Sequence, residues 1–451
     1  MRALGRVLIG ACGALLLQMT ASAATDRAAE NWIGTWGYVS LPPPPGVPIP
    51  TAAAAPAPAP TPMPLGGFTP RPATPPAPPA GLPAPIDNPG HVPLDYTTLE
   101  LGNVTVRQVV RVSQGGSRLR LRFSNENNAD EVAVGAVHIA AAQLDGTIVA
   151  GSDRVVTFDS QPSVILPPGA PVLSDAIDLP TRALQKLYIS SYLPGPVPTR
   201  SPRTLFEYVA GKSGDFTAAA TLPAQRLMRI PAYVTLVEVQ AAAPSGVVVA
   251  LGDSITQGSA STANGFRSWP DRLAERLAPH HWAVVNAGIG GNRLLRYGLG
   301  PSALARLDRD VLSVPGLKTI ILMEGINDIG VGLGNANPLD PVSVEGLEAA
   351  DLQIIARAHE HGARIIGATL TPFQGAFYAT PAGERVREAL NHWILTSGAF
   401  DGVIDFAPAV AAAGNPLIFD KRYNDTDHLH PNDAGYQAMG DAVDLALIIG
   451  K

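Results

Sequence analysis

The feature that most constrains the fold is a short apolar run that ends in a turn of glycine, aspartate and serine. Residues 247–252 read Val-Val-Val-Ala-Leu-Gly, and Asp253 and Ser254 follow directly. A continuous run rich in β-branched residues is typical of a strand buried on both faces of a parallel sheet. Beyond the turn, the spacing of apolar residues over 269–277 predicts a helix. Ser254 therefore lies where a strand gives way to a helix, and open α/β sheets bind their ligands at such ends.

A serine at this position has two interpretations. Close to a helix N-terminus with free backbone N–H groups, its hydroxyl is placed to act as a nucleophile. Alternatively, Ser254 only shapes or caps the turn. The stretch by itself does not choose between these two roles, so the rest of the chain has to decide.

The first residues predict a secretory signal. The first six residues include two arginines, an apolar run follows to about Met19, and a small-x-small site comes next. We therefore expect cleavage after Ala23 and a secreted or periplasmic protein. The apolar run is too short for a membrane span, and we expect no integral membrane association. Cys12 also suggests a lipid-anchored signal, but the apolar run continues well past it.

Composition excludes several classes of site and partner. Cys12 is the single cysteine of the chain and lies within the predicted signal. An exported form would therefore have no disulfide, no thiol nucleophile and no cysteine-ligated zinc. The formal net charge of −6 argues against nucleic acid and anionic membrane surfaces as partners. The 451 residues allow two domains with sizeable cores.

Changes in composition and pattern divide the chain into parts. Residues 31–39 read as a strand with two tryptophans, and the stretch after Leu41 is dominated by proline and alanine. Such a stretch lacks the apolar side chains for a core and the donors for a sheet, so we predict an extended linker or surface loop. The predicted order is a signal peptide at 1–23, the first strand of a β-domain at 24–40, the linker at 41–93, a β-sandwich at 94–243 and an α/β domain at 244–451.

Short alternating segments predict antiparallel strands in the β-domain. Residues 119–123 alternate apolar side chains with arginine, as half-buried strands do. Glycines at 115 and 116 and the Asp-Gly pair at 145 and 146 supply hairpin turns. This pattern indicates a β-sandwich, jelly-roll-like in its strand spacing. The arginines at 107, 111, 118, 120 and 122 either bind an acidic ligand or form a solvated strand face, and the alternation favours the solvated face.

After Pro244, predicted strands and helices alternate. Further strands are predicted at 283–286, 318–323, 363–369 and 402–406, and helices near 302–312, 343–361, 382–396 and 433–449. This βαβ series predicts a mainly parallel sheet covered by helices on both faces.

Polar or glycine-rich groups follow four of the predicted strands. Ser254 follows the first, a glycine-rich turn at 286–292 follows the second, residues 324–328 follow the third, and residues 427–431 follow the last. Because the carboxyl ends of parallel strands meet at one edge of a sheet, we expect all four groups to line one crevice.

The chemistry that a serine nucleophile needs is available in these groups. A serine hydroxyl requires a base, and histidine titrates in the right range, so we predict that His430 takes the proton. Asp427, three residues earlier, can accept from the other imidazole nitrogen and orient the ring. The backbone N–H groups of Ser254 and Gly291 and the side-chain amide of Asn327 are the predicted oxyanion donors.

These blocks resemble those of the SGNH (GDSL-type) hydrolases, in particular secreted bacterial members with an N-terminal β-domain. The resemblance rests on Gly252-Asp253-Ser254-Ile255, on Gly291 within the glycine-rich turn, on Gly325-Ile326-Asn327-Asp328 and on Asp427-His428-Leu429-His430. It implies a flavodoxin-like three-layer α/β/α domain over 244–451, with Ser254, Asp427 and His430 as a catalytic triad and Ser254, Gly291 and Asn327 as the oxyanion hole. Ile255 replaces the leucine of the nominal motif.

The resemblance also implies an activity. It implies a serine esterase that cleaves carboxylic esters through an acyl-serine intermediate without a cofactor. Together with export, it suggests O-acetyl groups on a polysaccharide, so that the expected partner is an acylated carbohydrate. Two other functions stay open: a lipase-like esterase acting on lipid or small acyl esters, and a catalytically inert glycan-binding protein. The sequence does not fix the oligomeric state.

Residues close to the blocks have competing interpretations. His428 is a second candidate base, but the motif register favours His430. Asp425, Asp427, His428 and His430 are residue types that bind metal ions. The triad already uses two of them, so we expect no metal site.

Other neighbours of the blocks are assigned to structure or to substrate. We expect Asp253 and Asp328 to fix loops rather than to take part in the chemistry. Trp269, Arg293 and Tyr297 are candidate substrate contacts, although core and surface packing explain them equally well.

Overall fold

The computed structural model describes residues 31–39, 99–126, 130–143, 146–199, 205–230, 233–241, 246–334 and 342–450. The predicted signal peptide at 1–23 and the proline- and alanine-rich segment at 41–93 lie outside these ranges. Both stay predictions, as do the exact domain boundaries.

The N-terminal part of the chain is built from antiparallel strands. Its strands are β1 (Trp32–Gly37), β2 (Leu99–Leu101), β3 (Val104–Arg111), β4 (Leu119–Ser124), β5 (Val132–Val134), β6 (Ala136–Ala141), β7 (Arg154–Val155), β8 (Val164–Leu166), β9 (Pro171–Leu173), β10 (Lys186–Leu193), β11 (Val197–Thr199), β12 (Leu205–Val209), β13 (Arg226–Ile230) and β14 (Val234–Gln240). One sheet has the order β1-β14-β4-β9 and the other the order β13-β12-β3-β10-β6-β7. The predicted first strand is therefore part of the β-domain.

Strand β4 shows how the sequence pattern forms this core. Leu119, Leu121 and Phe123 are fully buried, while the arginines between them are half-buried. The ring of Phe123 packs edge-on against Phe158, with 5.3 Å between the ring centres. The alternation read from the sequence is thus confirmed for this strand.

The expectation of a solvated arginine face is wrong for two positions of β3. Arg107 is 1% exposed, and its guanidinium donates to the hydroxyl of Ser190 at 2.8 Å and to the carbonyl of Ala219 at 2.6 Å. Arg111 is partly buried, with its side chain 9% exposed, and its guanidinium bonds to the other domain. Local alternation could not show this, because the partners come from distant parts of the chain.

The C-terminal part contains a five-stranded parallel sheet, as predicted. Its strands are β15 (Val247–Gly252), β16 (Ala283–Gly288), β17 (Leu317–Met323), β18 (Arg364–Ala368) and β19 (Gly402–Ile404), in the order β16-β15-β17-β18-β19. This is the 2-1-3-4-5 order of flavodoxin-like folds. The short strands β20 (Ala411–Ala412) and β21 (Asn415–Phe419) form a separate antiparallel pair.

Helices cover the parallel sheet in two separate layers. They are α1 (Ser254–Gln257), α2 (Trp269–Leu277), α3 (Ala303–Leu307), α4 (Ile326–Ile329), α5 (Val344–Glu360), α6 (Pro381–Thr396), α7 (Ala407–Val410), α8 (Asp433–Ala442) and α9 (Ala446–Ile449). Helices α2, α7 and α8 pack together in one layer, and α3, α5 and α6 in the other. The three-layer α/β/α prediction is confirmed. Among the helices that the structure describes, none combines the length and the apolar character needed to cross a bilayer.

Two predicted helices are interrupted. The stretch predicted at 302–312 is α-helical only over α3 and continues as a π-helical turn at Asp308–Leu312. The stretch predicted at 433–449 divides into α8 and α9, because Val443 has extended backbone angles and Asp444 accepts a hydrogen bond from the N–H of Ala446.

The two domains share a tightly packed seam at β16, the outer strand of the parallel sheet. Strand β1 lies against it so closely that a Cβ on Gly37 would come within 2.5 Å of Val285. The hydroxyl of Ser113 accepts from the N–H of Val284 at 2.9 Å and donates to the carbonyl of Thr35 at 2.6 Å. The seam therefore joins the domains through both packing and hydrogen bonds.

An ion-pair cluster extends the seam onto helix α2. The guanidinium of Arg111 lies 2.7 Å from the carboxylate of Glu275 and 3.3 Å from that of Asp271. Gln114 donates to the carbonyl of Ala278 at the end of the same helix, at 3.0 Å. The β-domain thus fixes the position of α2, which packs on β16.

Candidate active site

Ser254 begins the one-turn helix α1 immediately after strand β15. The carboxylate of Asp253 caps this helix by accepting from the N–H of Ile255 at 2.8 Å. Gly252 leaves room for the sharp turn, since a Cβ there would lie 2.2 Å from the hydroxyl of Thr256 and 2.5 Å from the carbonyl of Met323. The turn therefore fixes the serine at the carboxyl edge of the sheet, and Asp253 fixes the loop as predicted.

A chain of hydrogen bonds joins Ser254, His430 and Asp427. The Nε2 atom of His430 lies 2.8 Å from the Oγ of Ser254, and its Nδ1 lies 2.5 Å from the Oδ2 of Asp427. An ionised carboxylate can only accept, so Nδ1 carries the proton in this arrangement and Nε2 is free to accept from the serine hydroxyl. The structure thus brings the three predicted triad residues together in the order that proton transfer requires.

The local backbone holds Asp427 in its ionised form. Its Oδ1 accepts from the N–H groups of Leu429 at 3.0 Å and His430 at 2.9 Å. Burial raises the pKa of this carboxyl, but the charge of His430 and these hydrogen bonds outweigh burial, and the net pKa lies well below its usual value.

The second candidate base, His428, is not part of the hydrogen-bond chain from Ser254 to Asp427 and contacts Asn424 instead. It is 3% exposed, and its Nδ1 lies 3.1 Å from the side-chain nitrogen of Asn424. Its φ of 59° places it in the left-handed region, which turns the loop between Asp427 and His430. Burial lowers the pKa of His428, although Asp427 opposes this shift. The preference for His430 over His428 agrees with this geometry.

The predicted oxyanion donors come from two adjoining turns. Gly291 has a φ of 74°, and Asn327 lies on the one-turn helix α4, which starts after Gly325. The amide nitrogen of Asn327 donates to the carbonyl of Asn292 at 2.9 Å, which ties the two turns together. An amide nitrogen has two N–H groups, so the second remains available to a substrate oxygen.

Tyr378 orients that amide, and sequence reasoning missed it. Its hydroxyl donates to the Oδ1 of Asn327 at 3.2 Å, which keeps the nitrogen on the opposite side. The tyrosine is 3% exposed, and its ring packs so closely on Gly330 that a Cβ there would lie 2.3 Å away. No sequence signal points to it, because it lies in a loop beyond β18 with no motif around it.

Arg306 is the second residue that the sequence reasoning missed. It is 1% exposed and donates to the carbonyls of Gly252 at 3.0 Å and Ala287 at 2.7 Å, and to the side chain of Asn292 at 2.8 Å. It thereby links the ends of β15 and β16 to the glycine-rich turn. A signal was present: Arg306 shares the apolar helical face of Ala303 and Leu307, where an arginine needs buried acceptors.

Buried carboxyl groups lie beneath the site. Burial raises the pKa of Asp253 to about 6, while the Ile255 N–H and the charges of His430 and Arg306 favour its ionised form. Burial, followed by the charge of Asp253, also raises the pKa of Glu324 well above its usual range. Asp328 accepts from the N–H groups of Leu294 and Leu295 at 2.7 and 3.1 Å, in line with its predicted loop-fixing role.

The three candidate substrate contacts differ in position. Trp269 is fully buried and packs on Phe406, with 5.2 Å between the ring centres, so it belongs to the core and its assignment to substrate is wrong. Arg293 is 5% exposed and lies 3.6 Å from the Asp328 carboxylate, and its contact with substrate stays a prediction. Tyr297 is 37% exposed and stays a prediction.

Fold and site together define the class of protein. A hydrogen-bonded serine, histidine and aspartate stand at the carboxyl edge of a flavodoxin-like parallel sheet, which is the arrangement of an α/β serine hydrolase. In the part of the chain that the structure describes, no group of three or more histidine, cysteine, aspartate or glutamate side chains is arranged to hold a metal ion.

Comparison with known families places the chain within this class. Residues 250–438 match the GDSL-like lipase/acylhydrolase family, and the chain carries a domain of that family. This domain is therefore a serine ester hydrolase of the GDSL type. None of the curated proteins matches the chain significantly.

Several solved structures are similar to part of the chain. A lipolytic protein of the G-D-S-L family from Desulfitobacterium hafniense is 21% identical, with 45% of this chain and 98% of that chain covered and a TM-score of 0.34. An α/β hydrolase from the metagenome of Lake Arreo is 21% identical, with 46% and 95% covered and a TM-score of 0.36. A carbohydrate acetylesterase from Sinorhizobium meliloti is 15% identical, with 44% and 95% covered and a TM-score of 0.34.

Proposed function

We propose that Ser254 is the nucleophile of this esterase and that His430 and Asp427 complete its triad. The observation that carries the proposal is the continuous hydrogen-bond chain from the serine hydroxyl through the imidazole to the carboxylate. Its spacing matches what general-base activation of a serine needs.

The reaction follows from this arrangement. His430 accepts the Ser254 proton as Oγ attacks the ester carbonyl, and the negative oxygen of the tetrahedral intermediate is stabilised by the N–H groups of Ser254 and Gly291 and by the amide of Asn327. The alcohol then leaves with the proton from His430, and an acyl-serine remains. Water attacks this acyl group by the same route, which releases the acid and restores the serine.

Replacing the nucleophile tests this assignment. Ser254→Ala should lower turnover of p-nitrophenyl acetate by about 10⁴-fold or more, because it removes the hydroxyl that is hydrogen-bonded to Nε2 of His430. The melting temperature and circular dichroism should stay close to those of the wild type. Activity within about tenfold of the wild type in a folded variant would contradict the assignment of the nucleophile.

For the substrate, we infer short acyl esters on carbohydrate, with O-acetyl groups as the best candidate. Two features support the inference. Tyr378 is 3% exposed and hydrogen-bonds to Asn327, so a large buried side chain stands next to this proposed oxyanion donor, which favours a small acyl group. The neighbouring Phe377 is 60% exposed and packs on Tyr378 with 4.3 Å between the ring centres, so an aromatic face is available for the apolar side of a sugar ring.

A chain-length series distinguishes this substrate from that of a lipase-like esterase. We expect kcat/KM for p-nitrophenyl esters to be highest at acetate and to fall as the acyl chain lengthens. We also expect acetate release from acetylated xylan or a related polymer. A maximum at eight carbons or more would favour the lipase-like alternative, and glycan binding without any ester turnover would favour the inert glycan-binding protein.

A further inference from the structure

A cleft of about 180 Å³ lies between the two domains, and Ser254 is not among the residues that line it. We call it the seam cleft. Its walls come from β1 and β3 of the β-domain and from residues 257–268, helix α2 and strand β16 of the hydrolase domain. A protein cavity of about 150 Å³ is enough to hold benzene, so the seam cleft has room for one six-membered ring.

Aromatic side chains from both domains line the seam cleft. They are Trp36, Tyr38, Phe206 and Phe266. Phe266 is held in place by two cations of the β-domain, with the guanidinium of Arg111 at 5.4 Å and the ammonium of Lys186 at 5.0 Å from its ring centre. Such walls suit a ligand that has an apolar ring face.

The charges in the seam cleft are neutralised within the protein. Arg111 pairs with Asp271 at 3.3 Å and with Glu275 at 2.7 Å, and Arg267 lies 3.4 Å from Asp433. Arg111, Arg267 and Asp271, the charged residues of the lining, therefore have ionic partners already. An ionic ligand would have to compete with these partners. The chemistry favours an uncharged ligand.

A neutral donor in the wall has no hydrogen-bond partner among the described residues. The side-chain nitrogen of Asn264 is buried and makes no hydrogen bond to the described residues. Gln257 and Ser259 add an amide and a hydroxyl to the same lining. Aromatic faces combined with neutral hydrogen-bonding groups match the surface of a sugar ring, which has C–H faces and hydroxyl edges.

The loop that forms this wall adopts an unusual backbone. Ala260, Asn264 and Phe266 all have left-handed angles, with φ of 67°, 54° and 55°. For a bulky residue such as phenylalanine this conformation is a true outlier, and strained residues cluster at functional sites. The contacts of the Phe266 ring with the β-domain help to hold this conformation.

The same loop connects the seam cleft to the catalytic elements. It starts from helix α1, where the N–H of Ser259 donates to the carbonyl of Ser254 at 2.9 Å. Thr262 bonds to the carboxylate of Asp433 at 2.9 and 2.6 Å, at the start of the helix that follows His430. The loop is therefore hydrogen-bonded both to Ser254 and to the start of the helix that follows His430.

We propose that the seam cleft is an accessory subsite that binds one uncharged sugar ring of the polymer whose ester is cleaved. The link to the cleaved polymer rests on the proposed carbohydrate esterase function. Binding itself does not, because the seam cleft is lined by none of the triad residues. The β-domain would thereby contribute directly to substrate recognition.

Binding to an inactive variant tests the subsite without turnover. Ser254→Ala protein is titrated calorimetrically with xylohexaose, mannohexaose, cellohexaose and, as a charged comparison, hexagalacturonate. We expect one neutral oligosaccharide to bind. Adding Phe266→Leu should weaken that binding about tenfold, whereas Phe266→Tyr, which keeps the ring, should stay within about twofold. Equal affinity of the Phe266→Leu and Phe266→Tyr proteins, preference for hexagalacturonate or absence of any neutral binding would overturn the proposal.

Kinetics of the active enzyme separate this proposal from the proposed function. With Ser254 intact, Phe266→Leu should leave kcat/KM for p-nitrophenyl acetate within about twofold and lower that for an acetylated polymer about tenfold. Wild-type deacetylation that Phe266→Leu does not affect would overturn the subsite alone. Ring-dependent oligosaccharide binding without any deacetylation would overturn the substrate proposal and leave the subsite standing as a sugar-binding site.

Discussion

At the scale of single residues, the site depends on groups that hold other groups in place. Asn327 can present an N–H to the substrate only if its amide keeps one orientation. The carbonyl of Asn292 fixes the nitrogen side, and the hydroxyl of Tyr378 fixes the oxygen side. Two contacts thus determine which end of one amide faces the reacting ester.

Removing the Tyr378 hydroxyl should therefore slow catalysis without weakening binding. For Tyr378→Phe we expect kcat to fall about fivefold, as the loss of about 1 kcal/mol of a neutral hydrogen bond predicts, with little change in KM. Tyr192→Phe is a matched control, since it removes a tyrosine hydroxyl that donates to the side-chain oxygen of Asn103 at 2.9 Å in the β-domain. Equal kcat values for the two variants would contradict the positioning role.

Asp253 should give the protein a pH-dependent stability. Its pKa is about 6 in the folded protein, against about 3.9 for an unperturbed aspartate. Between these values the folded state holds a proton that the unfolded state has lost, so the free energy of unfolding falls as the pH rises from about 4 to 6. The two pKa values differ by about 2, which corresponds to at most about 3 kcal/mol in the free energy of unfolding. The charges of His430 and Arg306 lower the pKa of Asp253 and that of Asp328 raises it, while the charge of Asp253 in turn raises the pKa of Glu324.

Asp253→Asn should make this slope shallower by the part that Asp253 contributes, because asparagine does not ionise and its side-chain oxygen can still accept from the Ile255 N–H. Urea unfolding at pH 4, 5, 6 and 7 measures the effect. Asp178→Asn is the control, since that side chain is 85% exposed. If both variants kept the wild-type slope, another group would have to be the one that titrates.

The residue scale also shows how far sequence can predict a site. Ser254, His430 and Asp427 were identified because each stands in a short motif at a strand end, where chemistry and topology agree. Trp269 was a wrong candidate for a substrate contact, because a local pattern does not reveal whether a side chain points into the core. Tyr378 could not be found, because its role exists only through a contact across the fold.

At the scale of elements, helix α8 starts just after His430 and helps to fix its position. The side-chain oxygen of Asn432 caps this helix by accepting from the N–H groups of Ala434 and Gly435, each at 3.0 Å. Its nitrogen donates to the carbonyls of Arg422 and Asn424 at 3.1 and 3.2 Å. One side chain therefore joins the helix start to the chain segment before the His430 loop.

Asn432→Ala should lower both stability and turnover. Loss of a helix cap costs about 1–2 kcal/mol, and the freed loop would position His430 less well, so we expect a lower kcat. Ser343→Ala removes the equivalent cap of α5, where Ser343 accepts from the N–H of Gly346 at 3.1 Å. That control should lose similar stability with an unchanged kcat. Thermal melts and p-nitrophenyl acetate kinetics compare the two, and equal kcat values would argue against a role of Asn432 in placing the histidine.

Most elements of the hydrolase domain could be predicted, because the spacing of their apolar residues and their length are local properties of the sequence. The break between α8 and α9 could not. Arg276 of α2 donates to the carbonyls of Gly440 at 2.6 Å and Val443 at 2.7 Å, which satisfies the end of α8 and lets the chain turn there. That arginine lies far away in the sequence, so the apolar pattern of 433–449 read as one helix.

At the scale of the whole molecule, the two domains share one continuous core. Buried side chains run without a gap from Ile33 of the β-domain to Val285 and Val314 of the hydrolase domain. The change of pattern near Pro244 predicted two different folds correctly, but composition alone could not show that they form a common interior. Packing of this kind predicts that the two domains unfold together.

Arg111→Met tests the strength of this coupling. The change removes the ionic contacts from β3 to Asp271 and Glu275, so we expect the free energy of unfolding to fall by about 1–3 kcal/mol. Arg118→Met removes an exposed pair with Asp178 and should cost no more than about 0.5 kcal/mol. Urea unfolding followed by tryptophan fluorescence and by circular dichroism should give coincident transitions in the wild type. An Arg111→Met protein as stable as Arg118→Met would show that these contacts do not couple the domains.

The contact of Ser113 with Val284 has a consequence for solubility. Strand β16 is the margin of the parallel sheet, and an uncovered margin of this kind invites a neighbouring molecule to add its own strand. The β-domain closes it with one hydroxyl on the Val284 N–H and with strand β1 laid against its side chains. A hydrolase fragment separated from its N-terminal partner would expose this margin together with Val285, and we expect it to aggregate where the intact chain stays dispersed.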